Sequence, residues 1–537
     1  MKWSDYIKCG ILGLGLSLTS CEDWLLVEPE NVRSTNYFYS TPSEMEQALS
    51  GIYNGLLPLP EYTWFMSEVR SDNAWSGGGS STARDYIEIS VFNKNITELS
   101  TLNDAWCDLY EIVSRANIFL EKAENIEMPV EGVKEQQTAE ARFLRALAYF
   151  DLVRYWGRVP LTLEPLTINE MMAMKQAETV DIYEQGIIPD LEYAIANLSD
   201  TPIDYLGNQA SAGRVTLQAA KALLGKVYLT MAGYPLMDES KKSKARDLFE
   251  QVIDYADANN KFWAKDADEW QKIWISDNDN KYHIFEIQYI AESGFGNPMI
   301  FYTTPKLPTE YIGISMSGYG TVCSRGLNKL LKEETDAEGH FLDVRCLATV
   351  DTTKVLGKWK YNNSEDFFIK FMEHKIKRQK LGYSDIDAQI VDRGYFPINF
   401  PIIRLEDVML MYAEIVGPTD RGKEMVNRIH KRATGENLFE EGETVIDEDF
   451  QFYVDLERRK EFAGEGIRWH DIVRRNTYKD AIKMKFYEQA TDSKGNVTEP
   501  DVLVLQERVT EGTHLYPIPD AQMKVKEGLY EQNPAYK

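Results

Sequence analysis

Paired helical stripes constrain this chain more than any other feature. Leu217, Ala220, Leu224, Val227, Tyr228 and Met231 step by three or four, so they share one face of a helix that Gly233-Tyr234-Pro235 stops. Ala245, Leu248, Phe249, Val252 and Ala256 make its partner, and Ala219, Ala220, Ala222 and Gly225 are small enough to let the two helices approach closely. A second pair, over 402–416 and 419–433, repeats the layout. Helix pairs with small residues at the crossing point to tetratricopeptide-like stacking; the period is irregular, and pattern alone leaves an ordinary helical bundle open. Thr41-Pro42-Ser43-Glu44 reads as a capping box with Pro42 at the first helical position, opening a helix to about Leu57 that ends near Pro58. Trp106, Leu109, Tyr110, Val113, Ala116, Asn117 and Leu120 mark one face of a helix over 103–123. Ala139, Phe143, Ala146, Leu147, Phe150 and Val153 mark another.

The head of the chain bears on location. Lys2 and Lys8 precede a short apolar run, Ile11 to Leu18, well under the roughly 20 residues that cross a bilayer, so residues 1–20 read as a secretory signal. Leu18-Thr19-Ser20-Cys21 looks like a bacterial lipobox, which makes Cys21 the expected lipidation site. Each buried acyl methylene contributes about 0.8 kcal/mol, so several chains together hold a protein on a membrane. The net charge is −26, and −27 once the +1 of residues 1–20 (Lys2 and Lys8 against Asp5) is removed. Nucleic acid is therefore not an expected partner, because phosphate binding needs a basic face. Cys107, Cys323 and Cys346 are too few and too scattered for a disulfide framework, although one bridge between Cys323 and Cys346 stays open.

Between the helical blocks lie residues 70–100, with Gly77-Gly78-Gly79-Ser80-Ser81, and residues 290–322, rich in Gly, Pro, Ser and aromatic residues. Ile284–Ile290 alternates like a short strand, and 351–400 allows one or two more. Long loops of this kind carry function more often than helical faces do. Glu457, Glu461, Arg468, His470 and Asp471 resemble acid–base machinery, but read better as ion pairs that fix helices. The six histidines show no metal-ligand spacing, and Asp277, Asp279 and Asn280 read as a solvated acidic turn, so neither metal nor cofactor is expected.

Several segments resemble the SusD/RagB family of surface nutrient-binding lipoproteins. They are Glu22-Asp23-Trp24-Leu25 after Cys21, Ala139 to Ala146 with Tyr155-Trp156-Gly157-Arg158-Val159-Pro160, Arg214 to Leu229, Ile403 to Glu414, Glu457 to Asp471, and the closing Tyr516-Pro517-Ile518-Pro519 and Gln532-Asn533-Pro534-Ala535-Tyr536. Ala535 stands where a glycine is expected, and Asp407 also departs from the pattern. The resemblance implies a mainly α fold with a few short strands, and a tetratricopeptide-like helical-repeat scaffold over approximately 41–260 and 400–475. It also implies an irregular loop-rich ligand-binding part over approximately 60–100 and 276–400 and a C-terminal segment, 476–537. It implies a non-enzymatic protein of the outer membrane that serves a SusC-like TonB-dependent transporter and binds oligosaccharide, with peptide as the alternative cargo; the rival reading of the residues is a surface glycan hydrolase using a carboxylate pair such as Glu457 and Asp471.

Pyranose rings stack their C–H faces on aromatic rings, while their hydroxyls need side chains that donate and accept together. On chemistry and loop position, Arg70, Asp72, Asn73, Trp75, Arg84 and Tyr86 are the candidates from the first loop, with Trp75 foremost, and Asn297, Tyr302, Tyr311 and Tyr319 from the second. Trp106, Trp156, Trp263, Trp270, Trp274 and Trp469 are expected to be packing residues.

Overall fold

The computed structural model describes residues 38–76, 84–274, 282–290, 294–303, 321–333, 335, 342–349, 368–371 and 397–537. Cys21 and the leader, the Asp277–Asn280 turn, Tyr311 and Tyr319 lie outside them.

Thr41 and Glu44 form the expected capping box at the start of α1 (Pro42–Asn54). Pro58 does not end helical structure. A new helix, α2 (Leu59–Thr63), opens with Pro60 in its first turn, where a missing N–H is harmless, and continues as a wider, π-helical turn to Val69. Part of the segment expected to be loop is therefore helical. So is α3 (Arg84–Ser90), which follows the two-residue strand β1 (Ala74–Trp75).

Two 24-residue helices, α4 (Ser100–Ala123) and α5 (Val133–Trp156), pack on each other, and α6 (Ile188–Asn197) packs on both α5 and α7 (Leu217–Ala232). The tightest crossing is that of α7 with α8 (Lys241–Asn259). A Cβ placed on Gly225 would stand 2.5 Å from Cε1 of Phe249, so the small residue is what lets the ring in. After α9 (Ala267–Lys272) come β2 (His283–Ile287), β3 (Val322–Cys323) and α10 (Arg325–Lys332).

The helix expected over 402–416 starts three residues later. Residues Phe400–Arg404 form β4, antiparallel to β2, and only then does α11 (Leu405–Val416) begin. Pro401, Ile402 and Ile403 explain the difference: β-branched residues favour extended backbone, and Pro is tolerated in a strand with a free edge. Thr419 caps α12 (Asp420–Thr434), and α13 (Asp447–Glu461), α14 (Arg468–Arg474) and α15 (Tyr478–Ala490) complete the body.

One core runs from Met45 to Ile518, so the helical scaffold and the loop-rich part share an interior. A smaller cluster of Trp75, Phe92, Trp469, Tyr478, Ile482 and Phe486 lies where the 74–92 segment meets α14 and α15. Trp106, Trp156, Trp270, Trp274 and Trp469 are buried, and Trp263 is half-buried beneath Arg428 and Arg432. Cys323 and Cys346 are separate buried thiols, whereas Cys107 is exposed.

The carboxylates of the 457–471 segment tie elements together. Buried Glu461 meets Arg404 at 2.9 Å and Arg432 at 2.7 Å, while Glu457 meets Arg345 at 2.9 Å and Nδ1 of His430 at 2.8 Å. Arg458 bridges Asp407 and Asp471, both at 2.7 Å, and Asp407 also takes Lys226 at 2.8 Å. Burial works against Asp471 as an anion, yet Arg458, Arg474 and Arg475 hold its carboxyl far below the usual range. His470 is pushed well below its ordinary pKa by burial and by Arg154 and Lys226.

Candidate ligand-binding site

Residues 68–76 carry four of the sequence's first-loop candidates, and the structure spends three of them on the fold. The Arg70 guanidinium lies 3.7 Å from the Phe92 ring centroid and donates to the carbonyls of Ile89 and Thr513 and to the Tyr536 hydroxyl. Asp72 accepts from Arg468 Nε at 2.8 Å and pairs with Arg459 at 3.3 Å. Asn73 donates to Glu68 at 2.9 Å and accepts from Arg459 at 3.0 Å. Arg70, Asp72 and Asn73 are all buried, so these side chains anchor the loop and leave little surface for a ligand.

Two buried charges complete this clamp. Glu68 accepts from the amides of Gly464 and Gly466 at 2.8 and 2.9 Å, and burial raises its pKa. Lys485 Nζ donates to the carbonyls of Ser71, Ala74 and Val69, and burial pushes it down to about 7. Trp75, the foremost sequence candidate, is also nearly buried, its ring edge-on to Phe486 with centroids 6.2 Å apart. Asn297 is buried as well and donates to the Ile398 carbonyl at 2.6 Å, so it too serves the fold.

The two loop segments nevertheless converge. β1 pairs antiparallel with β3, Ala74 opposite Cys323 and Trp75 opposite Val322. Ser324 extends the junction, its amide donating to Asn73 O at 2.8 Å and its hydroxyl to Asp72 O at 2.7 Å. Nearby, Tyr86 of α3 stacks on Phe65 with centroids 3.7 Å apart, and Tyr302 meets the same Phe65 edge-on at 4.9 Å. Two sequence candidates more than two hundred residues apart thus share one aromatic partner. Tyr86 is mostly covered, Tyr302 is half-buried, and Arg84 at the start of α3 is exposed.

Sequence reasoning missed Glu61. Its carboxylate accepts from the Tyr302 side chain, and its pKa is raised by burial and by the neighbouring Asp104 and Asp108. Asp108 in turn accepts from Tyr62 at 2.5 Å. The available signal was Pro60, which can open a helix and would place Glu61 and Phe65 one turn apart on a single face. Phenols and carboxyls side by side offer donors and acceptors together, beside an aromatic surface. Beyond the clamp, Asp72 borders an open cleft of about 650 Å³ between α13 and α15, with Phe452 and Met484 exposed at its edge. Among the described residues no group of His, Cys, Asp and Glu could hold a metal ion.

Comparison with known proteins places this helical scaffold in a family. The chain belongs to the SusD/RagB family. Residues 358–536 match the SusD family, and residues 23–229 match the family described as starch-binding and associating with the outer membrane. A SusD-like protein of Bacteroides ovatus is 27% identical over 480 residues, covering 85% of this chain and 80% of the relative. The crystal structure of a SusD homolog from Bacteroides thetaiotaomicron superposes with a TM-score of 0.73 at 20% identity, covering 94% of this chain and all of that one. A laminarin binding SusD-like protein superposes at 0.67 with 24% identity, covering 92% of this chain and 100% of its own.

Proposed function

We propose that this chain is a non-enzymatic binding lipoprotein, held on the outer membrane through Cys21, that captures oligosaccharide and passes it to a SusC-like TonB-dependent transporter. The observation that carries the reading is the meeting of Tyr86 and Tyr302 at Phe65 beside Glu61, where the two loop segments converge. Carbohydrate is favoured because the matched family is described as starch-binding and a structural neighbour as laminarin binding. Arg84, Tyr302 and Glu61 are the side chains we assign to the ligand, and no cofactor is needed.

The test is calorimetry of the soluble body, starting at residue 22, against a panel of polysaccharides, oligosaccharides and peptides. A saturable glycan titration with intact products recovered is the expected result. Cleavage of the glycan would overturn the non-enzymatic reading, and binding to peptide alone would replace the cargo.

A further inference from the structure

Four sulfur-bearing side chains line one open space beside α4. Cys107 of that helix and Met171, Met172 and Met174 all border an opening of about 610 Å³, and none of the residues assigned to glycan does. The chain there reads Met171-Met172-Ala173-Met174, although methionine supplies only 17 of 537 residues, so the clustering stands well above background. Met171 is 50% and Met172 38% exposed, so neither thioether serves the core. Cys107 is exposed too, whereas Cys323 and Cys346 are buried.

Local structure gathers these groups. Thr167 and Glu170 form a capping box on the single turn Ile168–Met171, and hydrogen bonds from Met172 N to Ile168 O at 3.0 Å and from Met174 N to Met171 O at 3.3 Å continue the winding. Residues three apart in a helical turn are neighbours, which sets Met171 beside Met174. One short stretch near the end of the chain then ties both parts of the wall. Gln522 donates to Cys107 Sγ at 3.6 Å, and Lys526, four residues on, donates to the Met172 carbonyl at 3.1 Å.

Thioethers and thiolates are soft donors, which select Cu(I) over divalent ions that favour oxygen or imidazole. Thioether sulfur lies outside the His, Cys, Asp and Glu set that forms no metal site among the described residues. The described lining contains no histidine, and of its two carboxylates, Glu111 and Glu164, the first is already paired with Arg115 at 2.5 Å. We propose that Cys107, Met171, Met172 and Met174 form a binding site for a soft monovalent metal ion, Cu(I) above all. Binding forms a metal–sulfur bond at Cys107 and releases the thiol proton to solvent, with no electron transferred. Burial and the neighbouring Asp104 and Asp108 raise the Cys107 pKa, so the free thiol keeps its proton until a metal displaces it. The same two carboxylates draw a cation toward the opening.

The experiment uses the chain from residue 22, which keeps every described residue and omits the Cys9 and Cys21 thiols. Cu(I) is titrated anaerobically against bicinchoninate, and Ag(I), a redox-silent probe, is added in parallel to protein carrying 13C-methyl methionine. One Cu(I) per chain withheld from the chelator is expected, with Ag(I) shifting the methyl signals of Met171, Met172 and Met174. Met171→Leu/Met172→Leu/Met174→Leu roughly conserves side-chain volume and is expected to weaken Cu(I) binding at least tenfold with an unchanged melting profile, as is Cys107→Ser. Failure to hold Cu(I) against the chelator overturns the proposal. Wild-type affinity in the triple-leucine variant overturns it equally, since the site would then be a lone thiol, and so does displacement of Cu(I) by an equal concentration of Zn(II), which would mean a harder donor set. None of these readouts involves glycan, so failure here is separable from failure of the binding function.

Discussion

Arg468 donates to both carboxylate oxygens of Asp72, at 2.8 and 3.1 Å, across 396 residues of chain. Both side chains are buried, and Arg468 also reaches Asp455 at 2.7 Å. The pair fixes the backbone that leads into β1.

Breaking it leaves an uncompensated buried charge. Arg468→Ala is expected to lower unfolding free energy by about 3–5 kcal/mol, measured by urea denaturation. A loss under 1 kcal/mol would show that the clamp is not structural.

Gly225 tests the crossing of α7 with α8. Gly225→Ala drives a methyl to within 2.5 Å of the Phe249 ring, and overpacking of this kind costs about 1–3 kcal/mol. If the alanine variant melts at or above the wild-type temperature, helix propensity outweighs the clash and the crossing is looser than described.

Glu414 sets an acid limit on stability. Burial opposes its charged form, but Arg474 and Arg475 hold its carboxyl down at about 2, against an ordinary 4.5. The folded pKa lies below the unfolded one, so the contribution is complete above pH 4.5 and is lost as pH falls toward 2. It amounts to about 3 kcal/mol. Glu414→Gln is expected to flatten the loss of stability between these limits, and a wild-type slope in the variant would contradict the assignment.

Ligand contacts and loop anchors separate by phenotype. Tyr302→Phe is expected to weaken glycan binding about tenfold, worth about 1.4 kcal/mol, with little change in melting temperature. Asn73→Ala should destabilise the fold. Wild-type affinity in Tyr302→Phe would remove that hydroxyl from the site.

What the sequence made legible was local. The capping box at Thr41, the α7–α8 stripes and the close approach at Gly225 depend on residues within one or two turns, and all appear as read. The ion-pair reading of Glu457, Glu461 and Asp471 holds as well, although only Arg458 on Asp471 is local and Arg345 and Arg404, which meet Glu457 and Glu461, come from distant segments. The anchoring of Arg70, Asp72 and Asn73 was not legible, because a polar run beside a tryptophan has the composition of a sugar site. Their partners Thr513, Arg468 and Arg459 stand about four hundred residues away, where no periodicity could point. Glu61 was hidden likewise, since the Tyr302 that binds it comes from the other end of a long chain segment.

The carbonyls of Val69, Ser71 and Ala74 are met by the ammonium of Lys485, and Glu68 by the amides of Gly464 and Gly466. In order of synthesis every one of these restraints arrives late. Residues 68–74 are translated long before these partners exist, so a chain cut short before 464 lacks all of them. Completion of the carboxy-terminal helices is thus the step that locks residues 68–74 in place.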